Sequence, residues 1–268
     1  MTKQNKSLWL FLITFYFGFV NHSGAEEPSK IEFGFGVGGL SIPHYRGSDQ
    51  TKQFAIPIPY VQYSGKRFKF DRDGGRFYLY DFGSSILDIS MDFAFPVNSD
   101  DNIARVNMPD LNPVIEIGPR LVFDPYINKN KSFRIQFALP LRMAIASNIV
   151  ETQILGWTFA PYMQFRFINY ANTALTIGPY WATDKYHDYF YQVVPQYATT
   201  QRPYYDAKGG YGGSRISLTS RKRFNKIWVG IFARYDFLSG AVYEDSPLVK
   251  QKTAFMVGFG VAYVFFKH

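Results

Sequence analysis

The chain has 268 residues, no cysteine, 47% apolar and 19% aromatic residues, and a formal charge of +8. The missing cysteines exclude a disulfide scaffold, a thiolate metal site, a cysteine nucleophile and a lipidated N-terminal cysteine. A mean hydropathy of -0.15 beside 27 Phe, 20 Tyr and 4 Trp suits strands with one apolar and one wet face, and basic residues scattered over strands and turns speak against a nucleic-acid partner.

Residues 8–20 form the only long apolar run, too short for a spanning helix and preceded by Lys3 and Lys6. With small residues before a cleavage point after Ala25, residues 1–25 read as a signal peptide and 26–268 as the mature chain, whose charge is +6 once Lys3 and Lys6 are gone. An uncleaved anchor is the alternative.

Alternation and turn residues then mark strands at 31–40, 53–63, 66–72, 76–81, 85–95, 113–123, 132–146, 154–168, 172–183, 211–220, 226–237 and 253–266. The clearest is 132–146: Phe133, Ile135, Phe137, Leu139, Leu141, Met143 and Ile145 share one parity, and Ser132, Arg134, Gln136, Ala138, Pro140, Arg142 and Ala144 the other. Fourteen residues at about 3.3 Å each reach roughly 45 Å, enough to cross a hydrocarbon layer when tilted. Strand 87–95 repeats the pattern, as do 115–123, 157–167 and the final strand, whose wet row of Ala254, Gly258, Gly260 and Ala262 points to a packed or narrow interior.

The connections alternate in length. Those at 64–65, 82–84, 124–131, 169–171 and 221–225 are short, while the opposite end receives 41–52, 73–75, 96–112, 147–153, 184–210 and 239–252. Outer-membrane barrels sort short periplasmic turns and long extracellular loops this way. The fold expected is therefore all-β: a transmembrane antiparallel β-barrel of twelve strands, with ten as the alternative because the 66–81 hairpin is short. A soluble β-sandwich would alternate too, but its strands are usually about five or six residues. Pro119, Pro140, Pro161 and Pro179 each remove a ladder donor, which alternation does not explain beyond bulges or ends of pairing.

The wet rows carry Asp88, Asp92, Glu116, Arg120, Arg134, Arg142, Arg166, Arg215, Arg234 and Asp236. Charges there are costly unless they line a lumen or pair with one another. They make either a narrow, slightly anion-selective channel for small solutes or an ion-paired plug. For catalysis or metal binding the candidates are His187, between Asp184 and Asp188, and His44; neither comes with a nucleophile elbow or a full ligand set at recognisable spacing. No cofactor is implied, and the glycine-rich stretches at 34–39 and 209–213 lead into no helix that would hold a phosphate.

Several segments in order resemble the MipA/OmpV family of outer-membrane proteins: Gly34-Phe-Gly-Val-Gly with His44-Tyr-Arg-Gly-Ser-Asp49, Ile56-Pro-Ile-Pro-Tyr-Val-Gln-Tyr63 with Gly65-Lys-Arg-Phe68 and Gly74-Gly75, Ile117-Gly-Pro-Arg-Leu121, and Tyr243-Glu-Asp-Ser-Pro-Leu-Val249, whose Asp245-Ser246-Pro247 loop is the most diagnostic. The resemblance implies a barrel in the outer membrane of a Gram-negative bacterium, surrounded by lipid and lipopolysaccharide. For the name-giving member it implies a scaffold role joining murein hydrolase and synthase, while other members look like outer-membrane antigens, adhesins or stress-linked proteins. The leading reading is a non-enzymatic scaffold that meets cell-wall enzymes in the periplasm through basic turns such as 124–131 and 221–225, with the small-solute channel as the alternative. The resemblance supplies no catalytic residues. The chain departs from barrel habit at its end, where Phe265-Phe266 is followed by Lys267-His268.

Overall fold

The structure is a computed structural model that describes residues 30–65, 68–71, 74–148 and 150–268. The expected signal segment at 1–25, or anchor, lies outside the described residues, as do Lys66, Arg67, Arg72, Asp73 and Ile149 of the expected connections and strands. Strand segments follow one another as β1 (Lys30–Pro43), β2 (Thr51–Ser64), β3 (Phe68–Asp71), β4 (Gly74–Asp81), β5 (Ser85–Ala94), β6 (Val114–Ile127), β7 (Phe133–Ser147), β8 (Thr152–Phe159), β9 (Tyr162–Ile168), β10 (Asn172–Ala182), β11 (Gly210–Phe224), β12 (Ile227–Phe237) and β13 (Thr253–Lys267). All lie in one antiparallel sheet.

Sequence neighbours pair except β8 with β9, β13 pairs with β1, and β10 pairs with β11, so the ladder returns to its start. β8 and β9 share one place in it: β7 pairs with β8 through residues 141–147 and with β9 through 133–138, and β10 likewise meets both. The single strand expected at 154–168 is thus two pieces broken at Ala160-Pro161, and twelve positions remain. Four prolines explain the break. Pro119, Pro140, Pro161 and Pro179 sit on the neighbouring strands β6, β7, β8/β9 and β10, and register slips or lapses beside them. Their missing donors are gathered at one level of the wall, where the ladder bends once instead of failing in four places.

Burial is inverted relative to a water-soluble sheet. On β7, Arg142 is 7% exposed while its neighbour Leu141 is 45% exposed. Val37, Phe259 and Phe265 are each more than 60% exposed on the outer face, and buried Ala262 and Val264 alternate with exposed Tyr263 and Phe265 on β13. Where β1 meets β13 the inner face must stay small: a Cβ on Gly36 would run into the Val261 carbonyl and Ala262.

Five connections at one end are short. Two are shorter than expected, because β6 runs on to Ile127 and β11 to Phe224, which puts Arg221, Lys222 and Arg223 on a strand and leaves Asn225-Lys226 as the turn. Asn225 takes φ 51°, a left-handed conformation that asparagine tolerates. At the other end the long connections fold. Residues 184–210, expected as a loop, hold the helix α1 (Asp184–Tyr191) and a 3-10 turn at Pro195–Tyr197. The larger of two buried apolar clusters among the described residues lies at this end, where Tyr45, Leu111, Phe190, Tyr191, Leu238, Tyr243 and Leu248 come together.

Candidate functional site

α1 seats over the long-connection end with Tyr186, His187, Phe190 and Tyr191 buried. Its aromatic face recurs at i and i+4, so one side of a two-turn helix faces inward. Tyr191 stacks flat on Tyr243 with ring centres 3.8 Å apart, and His187 meets the edge of Tyr243 at 4.7 Å. Gly212 makes room for this face: a Cβ there would lie 2.9 Å from Tyr180 and 3.1 Å from His187 Nε2. Arginines tie the surrounding loops down by donating to backbone carbonyls. Arg105 reaches Phe190 O at 3.0 Å and Pro109 O at 3.1 Å, and Arg202 reaches Ala104 O at 3.0 Å and Tyr197 O at 2.8 Å.

Beneath the helix the wet rows converge. Arg120 grips Asp88 at two points, Nε to Oδ1 at 2.9 Å and Nη2 to Oδ2 at 2.6 Å, and donates to Tyr162 Oη at 3.1 Å. Glu116 accepts from Thr158 at 2.7 Å and Tyr186 at 2.8 Å, so α1 is hydrogen-bonded directly to the strand carboxylate. Arg142 donates to Ser90 at 2.9 Å and lies 3.8 Å from both Asp92 and Glu116. Arg215 reaches across to Asp92 at 3.5 Å. Asp236 takes a hydrogen bond from Arg234 at 3.0 Å, with Arg46 Nε at 3.4 Å and Arg215 Nε at 3.6 Å held by charge alone. The Arg46 and Arg215 guanidinium groups lie 4.8 Å and 4.9 Å from the Tyr180 ring centre. A cavity of about 300 Å³ opens beside this cluster, bounded by Asp92, Glu116, Arg215, Arg234 and the face of α1.

Of the wet-row residues, Asp92, Glu116, Arg142, Arg215, Arg234 and Asp236 are brought together here, while Asp88 and Arg120 form a separate pair with Tyr162 four residues further along β5 and β6. Arg134 and Arg166 are elsewhere, towards the short turns: Arg134 pairs with Asp124 at 3.3 Å and Arg166 donates to Gln164 at 2.9 Å. His187 is no solvated loop residue. It is fully buried, its Nδ1 donates to the Lys208 carbonyl at 2.7 Å, and burial pulls its pKa down to about 4. Neither flanking acid orients it, since Asp184 accepts from Lys185 N and Asp188 from Ala207 N. His44 Nδ1 accepts from Asn102 Nδ2 at 3.0 Å, and burial lowers its pKa too. In the Asp245-Ser246-Pro247 segment, Asp245 is exposed, while Ser246 is buried and donates to the Tyr191 carbonyl at 2.7 Å, locking the last loop onto α1. Among the described residues no group of acidic and histidine side chains is arranged to hold a metal ion.

Arg46, Tyr180 and Tyr186 are members of the cluster that strand parity did not single out. Arg46 stands inside the family-like His44–Asp49 segment, and the i, i+4 pairs Tyr186/Phe190 and His187/Tyr191 behind Thr183-Asp184 are the signal of a short inward-facing helix.

A search of the curated proteins returned no match. Among solved structures, the high-pH structure of Pseudomonas putida OprB matches with 7% identity, 88% of this chain and 94% of that chain covered, and a TM-score of 0.32. The family model of the MltA-interacting protein MipA matches residues 35–265, which is nearly the whole chain, and the chain belongs to that family.

Proposed function

We propose that the protein is an outer-membrane β-barrel, plugged at its outer end, that acts as a non-enzymatic interaction protein for a murein-processing enzyme. Membership of the MltA-interacting family supports the choice of partner. The exposed apolar girdle supports the membrane: such a surface suits lipid, with lipopolysaccharide around the outer rim, and would be a liability in water.

The observation that carries the reading is the sealed end. α1 is stacked on Tyr243 and bonded to Glu116, and the arginines beneath it are paired with carboxylates, an arrangement that fills a small barrel instead of conducting through it. Function then falls to the other end. Lys129 and Lys131 of the turn after β6, Lys226 of the turn after β11, and Lys267 are exposed there and give a basic rim for an acidic partner or the anionic wall. Turns this short bury little area, so the complex is weak or shared with further surfaces.

Photocrosslinkers placed at Lys129 and Lys226 in living cells test this. Capture of a murein hydrolase is the expected result, and a correctly inserted barrel that captures no cell-wall enzyme overturns it. The channel reading has one observation in its favour, the 300 Å³ cavity, and is settled by conductance.

A further inference from the structure

The ladder has a gap in its outer half. β2 pairs along its full length with β1, but on its other side only Tyr63 and Ser64 meet β3. β5 pairs with β6 from Ser85 to Ala94, yet with β4 only as far as Ile89. Residues 51–62 and 90–94 therefore border an opening with no strand between them among the described residues. At the outer rim the Phe54 and Phe95 rings close it, 5.3 Å apart.

Each border is in part chemically prepared to stand unpaired. In a membrane an open edge is expensive because its N–H groups lack partners. The β1–β2 register is unbroken across Pro57 and Pro59, so the donors those prolines lack belong to the edge facing the opening. On the β5 side the Phe93 N–H is taken by its own neighbour, donating to Asp92 Oδ1 at 2.9 Å.

The β5 border of the opening reaches the cavity. Asp92, Phe93 and Ala94 at the end of β5 and Phe95 just beyond it all line it, together with Leu40 and Ile42 of β1. Leu40, Phe232 and Met256 make an apolar wall, and Arg215 and Arg234 stand at the polar end. Arg46, Arg142, Arg215 and Arg234 outnumber Asp92, Glu116 and Asp236 by one, leaving a net positive charge. Arg234 commits only Nε to Asp236, and its terminal nitrogens have no protein partner among the described residues.

Resting on the barrel reading above, we infer that this gap is a lateral port through which a single-chain amphiphile with an anionic head passes between the outer leaflet and the cavity. Its head pairs with Arg234 and Arg215, and its chain lies along Leu40, Phe232 and Met256. A cavity of about 300 Å³ is at the lower end of the range for small-ligand sites, so one chain fits and a multi-chain lipid does not.

The test adds laurate carrying a diazirine at its chain end to the full protein in outer membranes and maps the adducts by mass spectrometry. Adducts at Phe93, Phe232 or Met256 are expected. Arg234→Gln should reduce them about tenfold, the scale of one charge-assisted hydrogen bond, and Ala94→Trp should reduce them by filling the mouth. Arg134→Gln should leave them unchanged. Resistance of each variant to unfolding on gels reports that the barrel is intact.

Unlabelled lysophosphatidylglycerol, laurate and dodecyltrimethylammonium compete in parallel. Competition by the first identifies a membrane lipid as the source, and competition by laurate alone a free fatty acid. Equal competition by the cation, or adducts confined to the outer girdle at Phe259 and Phe265 and indifferent to Arg234→Gln, overturns the port. Capture of a wall enzyme at the opposite rim is unaffected by any of these outcomes, so the two proposals fail separately.

Discussion

Asp88 and Arg120 meet at two points while exposing 1% and 9% of their surfaces, so neither charge has much water to fall back on. Losing one partner then strands the other. Arg120→Ala should destabilise the folded state by about 3–5 kcal/mol, and adding Asp88→Ala should restore most of that loss. Urea unfolding followed by gel mobility checks both, and simple additivity of the two changes would contradict the pairing. His187 has the opposite problem, a buried ring that must stay neutral. Its pKa falls from about 6.5 unfolded to about 4 folded, so its contribution is complete above pH 6.5 and is lost as pH drops towards 4. Between pH 7.5 and 4.5 the cost is about 2–3 kcal/mol, and it should vanish from the difference curve in His187→Gln. Parity in the sequence told which face each of these charges would take. It did not tell which partner each would find, because Arg215 of β11 and Asp92 of β5 meet only once the sheet curls.

At the scale of elements, long alternation made β6, β7 and β13 readable to within a few residues. The rest was hidden for identifiable reasons. Prolines read singly as obstacles become one bend when four neighbouring strands align them. β11 outruns its alternation, since Arg221, Lys222 and Arg223 remain paired with β12 where composition suggests a turn. The helix α1 is two turns long, below the length at which periodicity is persuasive, and tertiary contacts hold it, among them Tyr243, Glu116, Arg105 and Ser246. The proposed role of α1 as a plug makes a direct prediction. Replacing Phe190 and Tyr191 with Ala removes two buried side chains, each stabilising by about 1.5–3 kcal/mol, and should loosen the seal. Purified variant protein in planar bilayers is expected to show intermittent openings preferring anions. Continued silence of a folded variant would mean that the loops tied down by Arg105 and Arg202 close the mouth without α1.

The whole molecule is organised with charge inside and oil outside, and with one end closed and the other basic. Arg142 at 7% exposure beside Leu141 at 45% states this inversion within two residues. The function was less legible than the fold, because strand patterns announce a barrel but say nothing of whom its turns touch. Single-channel recording of the unaltered protein, inserted in a planar bilayer under a salt gradient, tests the plugged barrel most directly. A membrane that stays silent while the inserted protein remains folded is the predicted result. Steady openings whose anion preference falls when Arg215 is replaced by Ala would contradict it and make the protein a channel.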